Sequence, residues 1–247
     1  MNLDRIIAVR NNKTVYRDGQ RCCKVFNEEY SKADILSEAL NQARIEETGL
    51  VVPKLLEVTV LEGKWAIVYE YVQGKTLGQL MEESPEKKDE YLEQFVDLQL
   101  QVQGKTCPML TRLKDKMTQE ICATDLPATV RYSLHASLMS MPKHYKICHG
   151  DFRPSNIVIM EDGTPCVLDW SHATRGNASA DAARTYMLFS INEGRDRAEQ
   201  YLDLFCEKSN TEKQYVQKWI PLVAAAHSVK GNAAEREFMR TWIHAAN

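Results

Sequence analysis

The chain has no apolar run long enough to cross a bilayer, no Cys-x-x-Cys pair and no excess of positive charge. Each absence excludes a class. A membrane-spanning helix needs about twenty consecutive apolar residues, and residues 1–10 lack the apolar core of a secretory leader. No membrane association is expected. A formal net charge of −3 argues against a nucleic-acid partner, which calls for a concentrated basic surface. The seven cysteines, at 22, 23, 107, 122, 148, 166 and 206, are odd in number, and several sit in strand-like apolar runs. They read as reduced, mostly buried thiols of a cytoplasmic protein rather than a disulfide framework. Glycine is thin at the start of the chain, the first being Gly19. There is no low-complexity tract and no internal repeat. What is present is ordinary for a globular protein: 247 residues, 44% apolar and 26% charged, enough for one large domain or two small lobes.

Against this background one segment stands out. His149-Gly150-Asp151-Phe152-Arg153-Pro154-Ser155-Asn156 is followed, thirteen residues after Asn156, by Asp169 within Leu168-Asp169-Trp170. Phosphoryl transfer needs a carboxylate to meet an incoming hydroxyl and hard oxygen ligands to hold magnesium on the phosphates. Asp151 suits the first task, and Asn156 with Asp169 the second. The Asp-x-x-x-x-Asn spacing, with a second Asp downstream, resembles the catalytic loop of protein kinases, with Gly150 where those enzymes carry Arg.

The surrounding residues predict a scaffold for this set. Tyr145–Cys148 is a short strand-like entry. Residues 156–160 are mostly β-branched and apolar, Asp162-Gly163 is a hairpin turn signal, and residues 165–168 return. The return strand would deliver Asp169 beside the start of the outgoing one, so that two oxygen ligands converge. Magnesium is commonly held by few protein groups plus substrate phosphates. A bland alternative is a buried hairpin with a polar entry loop, which would have to assemble the whole pattern by accident.

His149-Gly150-Asp151, Asn156, Leu168-Asp169-Trp170 and the segment Gly176–Asp181 together resemble the signature of the aminoglycoside phosphotransferase and choline kinase family. The resemblance covers most of the chain and thins after about residue 190. It implies an α+β, two-lobed, protein-kinase-like fold: an N-terminal antiparallel sheet carrying one helix, then a mostly helical C-terminal lobe. It also implies transfer of the γ-phosphate of ATP or GTP to a hydroxyl of a small molecule, with Mg2+.

Residues 5–72 read strand, strand, strand, helix, strand, strand. Apolar residues at 33, 36, 40 and 43 mark a helix over 31–48 between runs at 21–26 and 55–61. In Arg21–Phe26, alternation turns Lys24 to the same face as Cys22 and Phe26. An ammonium aimed into a sheet face needs an anionic partner; otherwise it belongs to an edge strand. The resemblance supplies two partners, a helix glutamate and the nucleotide phosphates. Of Glu38, Glu46 and Glu47, Glu38 matches the family's position, while the other two fall in the last turn and read as a solvated end.

One departure concerns the turn Arg10-Asn11-Asn12-Lys13, which contains no glycine although the family covers the phosphates there. Asn tolerates left-handed backbone, so a turn remains accessible, with Arg10 or Lys13 as a source of charge. Residues 68–77 resemble the family's hinge, where Glu70 and Val72 would offer backbone groups to the adenine edge. The expected division is 1–72 for the nucleotide-binding lobe and 73–247 for the helical lobe with the catalytic loop and acceptor site.

Beyond Thr76 the pattern is helical, with candidates at 91–102, 111–122, 128–139, 181–192, 195–206, 212–226 and 233–246. Aromatics recurring every four residues in the last two are expected to be core. Only about a dozen residues separate Asp169 from Asp181, and no Ala-Pro-Glu sequence follows, so the platform that holds a peptide substrate is missing. A small-molecule acceptor follows. The rival expectation is a kinase-like relative that binds nucleotide or a partner without catalysis. The sequence leaves the acceptor's identity and the oligomeric state open.

Overall fold

A computed structural model describes residues 5–10, 12–228 and 233–244. Asn11 of the expected phosphate turn and residues 245–246 of the last expected helix lie outside the described residues. In chain order, the first elements are β1 (Arg5–Arg10), β2 (Lys13–Asp18), β3 (Arg21–Phe26), α1 (Lys32–Glu46), β4 (Leu55–Leu61), β5 (Lys64–Glu70), β6 (Gly74–Thr76) and α2 (Leu77–Glu83). Then come α3 (Lys88–Gln103), α4 (Leu113–Cys122), α5 (Ala128–Ser140), β7 (Lys146–Cys148), β8 (Ile157–Met160), β9 (Pro165–Val167) and β10 (Thr174–Gly176). The chain ends with α6 (Ala178–Asn192), α7 (Arg195–Ser209), α8 (Lys213–Gln217), α9 (Ile220–His227) and α10 (Ala233–His244).

These elements form two compact units. The first comprises Met1–Pro85 and Pro154–His172, the second Glu86–Arg153 and Ala173–Asn247. In the first, an antiparallel sheet has the order β1-β2-β3-β5-β4, the antiparallel sheet with one helix read from the sequence. Helix α1 begins at Ser31, whose hydroxyl accepts the Asp34 N–H at 3.1 Å, the usual way to satisfy an orphan donor at a helix start. Its Ile35 and Ala39 pack with Phe26 and Ile67 in a buried cluster, flanked by Tyr30, Leu55, Val58, Trp65 and Tyr69.

The same unit holds a three-stranded sheet, β6-β8-β9. The Asp162-Gly163 turn closes the β8–β9 hairpin: the Gly163 N–H donates to Met160 O at 2.9 Å, and Asp162 Oδ1 accepts the Thr164 N–H at 2.9 Å. Strand β6 did not show in the sequence pattern. Its Gly74 lies so close to β8 that a Cβ there would sit 2.2 Å from Ile159 O, and only glycine permits that pairing.

The second unit is helical apart from the antiparallel β7–β10 pair. Phe95, Phe152, Phe189 and Tyr201 are buried together, with ring centroids 4.8 to 5.9 Å apart around Phe95. The helix expected over 212–226 is instead two, α8 and α9. Pro221 lies within the first turn of α9; it has no N–H to continue a preceding helix, and a helix start is where it fits. Trp219, in the break, is fully buried, so the aromatic reading as core holds there. None of the seven cysteines is in a disulfide, and Cys122 alone of them is exposed.

Candidate functional site

The first unit gathers four charged side chains. Lys24, on β3, pairs across the sheet with Ile67 and Val15 and is 6% exposed. Its Nζ donates to Glu38 Oε1 of α1 and, at 2.9 Å, to Asp169 Oδ1 at the end of the β8–β9 hairpin. Tyr69 adds its hydroxyl to Glu38 Oε1 at 3.4 Å. Burial would lower the Lys24 pKa, but Asp169 and Glu38 outweigh it and hold it well above the usual lysine value. Burial likewise works against ionised Asp169, yet Lys24 and Lys13 hold its carboxyl well below the ordinary range. The fourth group is Lys13, the first residue of β2, whose Nζ lies 3.4 Å from Asp169 Oδ2. Burial and the neighbouring Lys24 lower its pKa.

The glutamates in α1 and at its C-terminal cap separate cleanly. Glu38 is 3% exposed and faces the lysine. Glu46, read above as a solvated end, is half-buried and accepts the Leu55 N–H at 2.7 Å, tying the helix to the start of β4. Glu47 is exposed.

Asp169 has φ of 59°, a left-handed conformation that a non-glycine residue adopts at some cost. Such strain is tolerated where the surroundings fix the residue, and the two lysines do so here. Asn156 precedes β8; its carbonyl accepts the Leu168 N–H at 2.8 Å, which brings the backbone before Asp169 alongside the start of the outgoing strand. Asn156 is buried. An amide oxygen and a carboxylate are hard donors of the kind Mg2+ takes, and the pair suits an ion whose remaining ligands are phosphates and water. Among the described residues, no group of three or more His, Cys, Asp or Glu could hold a metal without such help.

Glu70 ends β5 and is exposed; its N–H donates to Lys54 O at 2.9 Å, and the Tyr71 N–H donates to Gln20 O at 2.8 Å. Val72 follows, half-buried.

The second unit carries Asp151. Arg153 approaches its Oδ1 with Nε at 3.0 Å and also with Nη2. The loop beneath is pinned at three backbone atoms. The Gly150 N–H donates to Asp181 Oδ1 at 2.7 Å, and the Asp151 N–H to His149 Nδ1 at 3.2 Å. The Phe152 carbonyl accepts the Thr185 hydroxyl at 3.1 Å. Gly150 has φ of 81°, which suits glycine and explains its presence in the loop. His149 is fully buried, edge-on to Phe152 with centroids 5.6 Å apart. Behind Thr185 runs a buried chain: the Tyr201 hydroxyl donates to Gln99 Oε1 at 2.7 Å, and Gln99 Nε2 donates to Thr185 Oγ1 at 3.2 Å. Arg184 on α6 keeps its Nε and Nη1 buried without a hydrogen-bond partner; burial lowers its pKa, which Asp151 opposes and Arg153 reinforces. A cavity of about 790 Å³ lies elsewhere in this unit, lined in part by Tyr186, Glu199 and Trp242, and includes none of Asp151, Arg153 or Arg184.

Sequence reasoning missed the Lys13–Asp169 contact and the Tyr201–Gln99–Thr185 chain. The second had a signal: Gln99 sits on the apolar face of α3, where a buried amide must find partners.

The family model described as phosphotransferase enzyme family matches residues 5–216. No curated protein matches the sequence. Among solved structures, a thermostable mutant of aminoglycoside phosphotransferase APH(4)-Ia, crystallised with AMP-PNP and hygromycin B, superposes with a TM-score of 0.71. It is 14% identical over 97% of this chain and 91% of its own. Choline kinase LicA from Streptococcus pneumoniae gives 0.66 at 13% identity, over 99% and 92%. A choline/ethanolamine kinase family protein from Mesorhizobium loti gives 0.63 at 17%, over 99% and 87%. At these identities the likeness is one of fold, and that fold is kinase-like.

Proposed function

Because the chain belongs to the phosphotransferase enzyme family, we propose that it moves the γ-phosphate of ATP, or GTP, to a hydroxyl of a small molecule with Mg2+. The observation that carries this reading is the buried cluster in which Lys24 is shared between Glu38 and Asp169. A lysine so held is positioned as a point charge for phosphates, the task it has in kinase-like sites. In this reading Lys24, set by Glu38, holds the α- and β-phosphates. Backbone groups at Glu70 and Val72, at the end of a first lobe over 1–72, meet the adenine edge. Asn156 and Asp169 would hold the metal, which supplies neutralisation of the charge on the β- and γ-phosphates.

Asp151 faces the acceptor. The acceptor oxygen forms a bond to the γ-phosphorus as the bond from phosphorus to the β–γ bridging oxygen breaks. The hydroxyl proton passes to the Asp151 carboxylate, and the nucleoside diphosphate leaves. Arg153, paired with Asp151, keeps a positive charge beside it and restrains its rotamer. Little covalent work falls to the protein; positioning and charge neutralisation carry the rate. A small acceptor fits the short connection from Asp169 to α6, which holds only one turn and β10.

A second reading, nucleotide binding without transfer, is favoured by the glycine-free turn before β2. One experiment separates the two: diphosphate release across a panel of amino alcohols, sugars and aminoglycosides, for the wild type and Asp151→Asn. Transfer predicts turnover on at least one acceptor and a loss of about a hundredfold or more in the variant, with nucleotide affinity kept. Wild-type turnover in Asp151→Asn removes that residue from the mechanism, and absence of turnover on every acceptor with intact Mg-nucleotide binding supports the second reading.

A further inference from the structure

Lys13 is a charged group that the phosphotransferase pattern does not account for. It is the first residue of β2, immediately after the turn that lacks glycine. In the β2–β3 register Val15 lies opposite Lys24, and Lys13 stands two residues before Val15, so all three point to one face of the sheet. Its side chain is 17% exposed, and its ammonium lies 3.4 Å from Asp169 Oδ2 while Lys24 occupies Oδ1. Both oxygens of the carboxylate assigned to the metal therefore carry an ammonium.

Lys13 and Lys24 balance Glu38 and Asp169, so the four side chains together are neutral. A magnesium nucleoside triphosphate brings a divalent cation and a larger negative charge. Once Asp169 turns an oxygen to the metal, Lys13 loses its anion and faces two cations. Leaving an ammonium unpaired in a largely buried place is costly, and the arriving phosphates are the anions at hand. The flexible stem of lysine permits the exchange with little backbone movement.

We propose that Lys13 is a phosphate-binding residue: its ammonium competes with the metal for Asp169 and takes the terminal phosphates when Mg-nucleotide is bound. It does with a side chain what backbone amides of a glycine-rich turn do elsewhere. The proposal rests on the nucleotide-binding reading above.

The test compares wild type, Lys13→Met and Lys13→Arg in calorimetric titrations with Mg–AMP-PNP and with AMP, and in titrations with Mn2+ alone followed by its EPR signal. In Lys13→Met, affinity for Mg–AMP-PNP falls by about ten- to a hundredfold, the scale of a charge-assisted contact. AMP, lacking the terminal phosphates, binds as before. Mn2+ alone binds more tightly, because a competing ammonium has gone. Lys13→Arg keeps most of the triphosphate affinity. The opposite signs for metal and triphosphate are what a merely structural lysine would not produce, and unchanged AMP binding certifies the fold. Equal losses for AMP and AMP-PNP, or unchanged AMP-PNP affinity in Lys13→Met, or Mn2+ binding that weakens or stays the same, overturns the proposal. A wild type that binds no nucleotide defeats the functional reading itself, and this proposal with it.

Discussion

Replacing Lys24 by Met tests how far the buried cluster supports the fold. Methionine keeps the apolar stem and removes only the ammonium. Glu38 would then be a carboxylate 3% exposed, left with the Tyr69 hydroxyl at 3.4 Å on Oε1 and no hydrogen-bond partner on Oε2. Removing one partner of a buried ion pair costs about 3–5 kcal/mol, because the survivor stays charged and desolvated. The lower end applies here: the Asp169 side chain is 27% exposed and keeps Lys13. About 3 kcal/mol corresponds to a drop in Tm of about 6–12 °C for a chain of this size. The double variant Lys24→Met/Glu38→Met removes both charges, and burying two thioethers in their place should recover most of the loss. Thermal melting followed by circular dichroism, for wild type, Lys24→Met, Glu38→Met and the double variant, gives the four values of the cycle. If Lys24→Met melts within about 2 °C of wild type, or if the double variant loses the sum of the two single losses, the cluster does not hold the fold as argued.

Two further outcomes follow from protonation. Burial pushes the thiols of Cys22 and Cys206 up to about 11 and that of Cys166 up to about 12, whereas Cys122 is exposed. Iodoacetamide at pH 8 with peptide mass mapping should therefore label Cys122 first and Cys166 last of these four, and early labelling of Cys166 would contradict its burial. Burial and the hydrogen bond to Glu199 push the Tyr186 hydroxyl up to about 12. A raised folded value means the folded state holds its proton more firmly. The stability it gives is complete below the unfolded value near 10 and is lost as pH rises through about 12. Melting curves taken across that window should fall less steeply for Tyr186→Phe than for wild type, and identical slopes would refute the assignment.

Much of this architecture is legible in the residues because the signals are local. The β8–β9 hairpin follows from β-branched runs flanking Asp162-Gly163, and the inward side of Lys24 follows from strand alternation. The stripe at 33, 36 and 40 that marked α1 in the sequence is exposed, and the buried face is Ile35, Glu38, Ala39 and Gln42 instead, so Glu38 is reached through the family resemblance and not through helical spacing. The contacts that were not legible join residues far apart in the chain. Lys13 reaches Asp169 across 156 positions, and nothing in the charge pattern around residue 13 singles out that carboxylate. Likewise β6 is three residues with no apolar alternation, and it exists because Gly74 can lie against β8. The break at Trp219 was written in Pro221, but amphipathic spacing on both sides masked it.

The hydrogen bonds behind Phe152 have a direction. Tyr201 donates to Gln99, Gln99 to Thr185, and Thr185 to the loop carbonyl, so each member has its proton committed towards Asp151's neighbour and none is left to choose. Turning the Gln99 amide over would make the Tyr201 hydroxyl an acceptor and draw the Thr185 hydroxyl onto Gln99 Oε1, leaving the Phe152 carbonyl without its donor. The orientation of one side chain on α3 is thereby coupled to where the carbonyl next to Asp151 points. Helices of this unit can change the residues on their outer faces while the position of the carboxylate is kept by the interior.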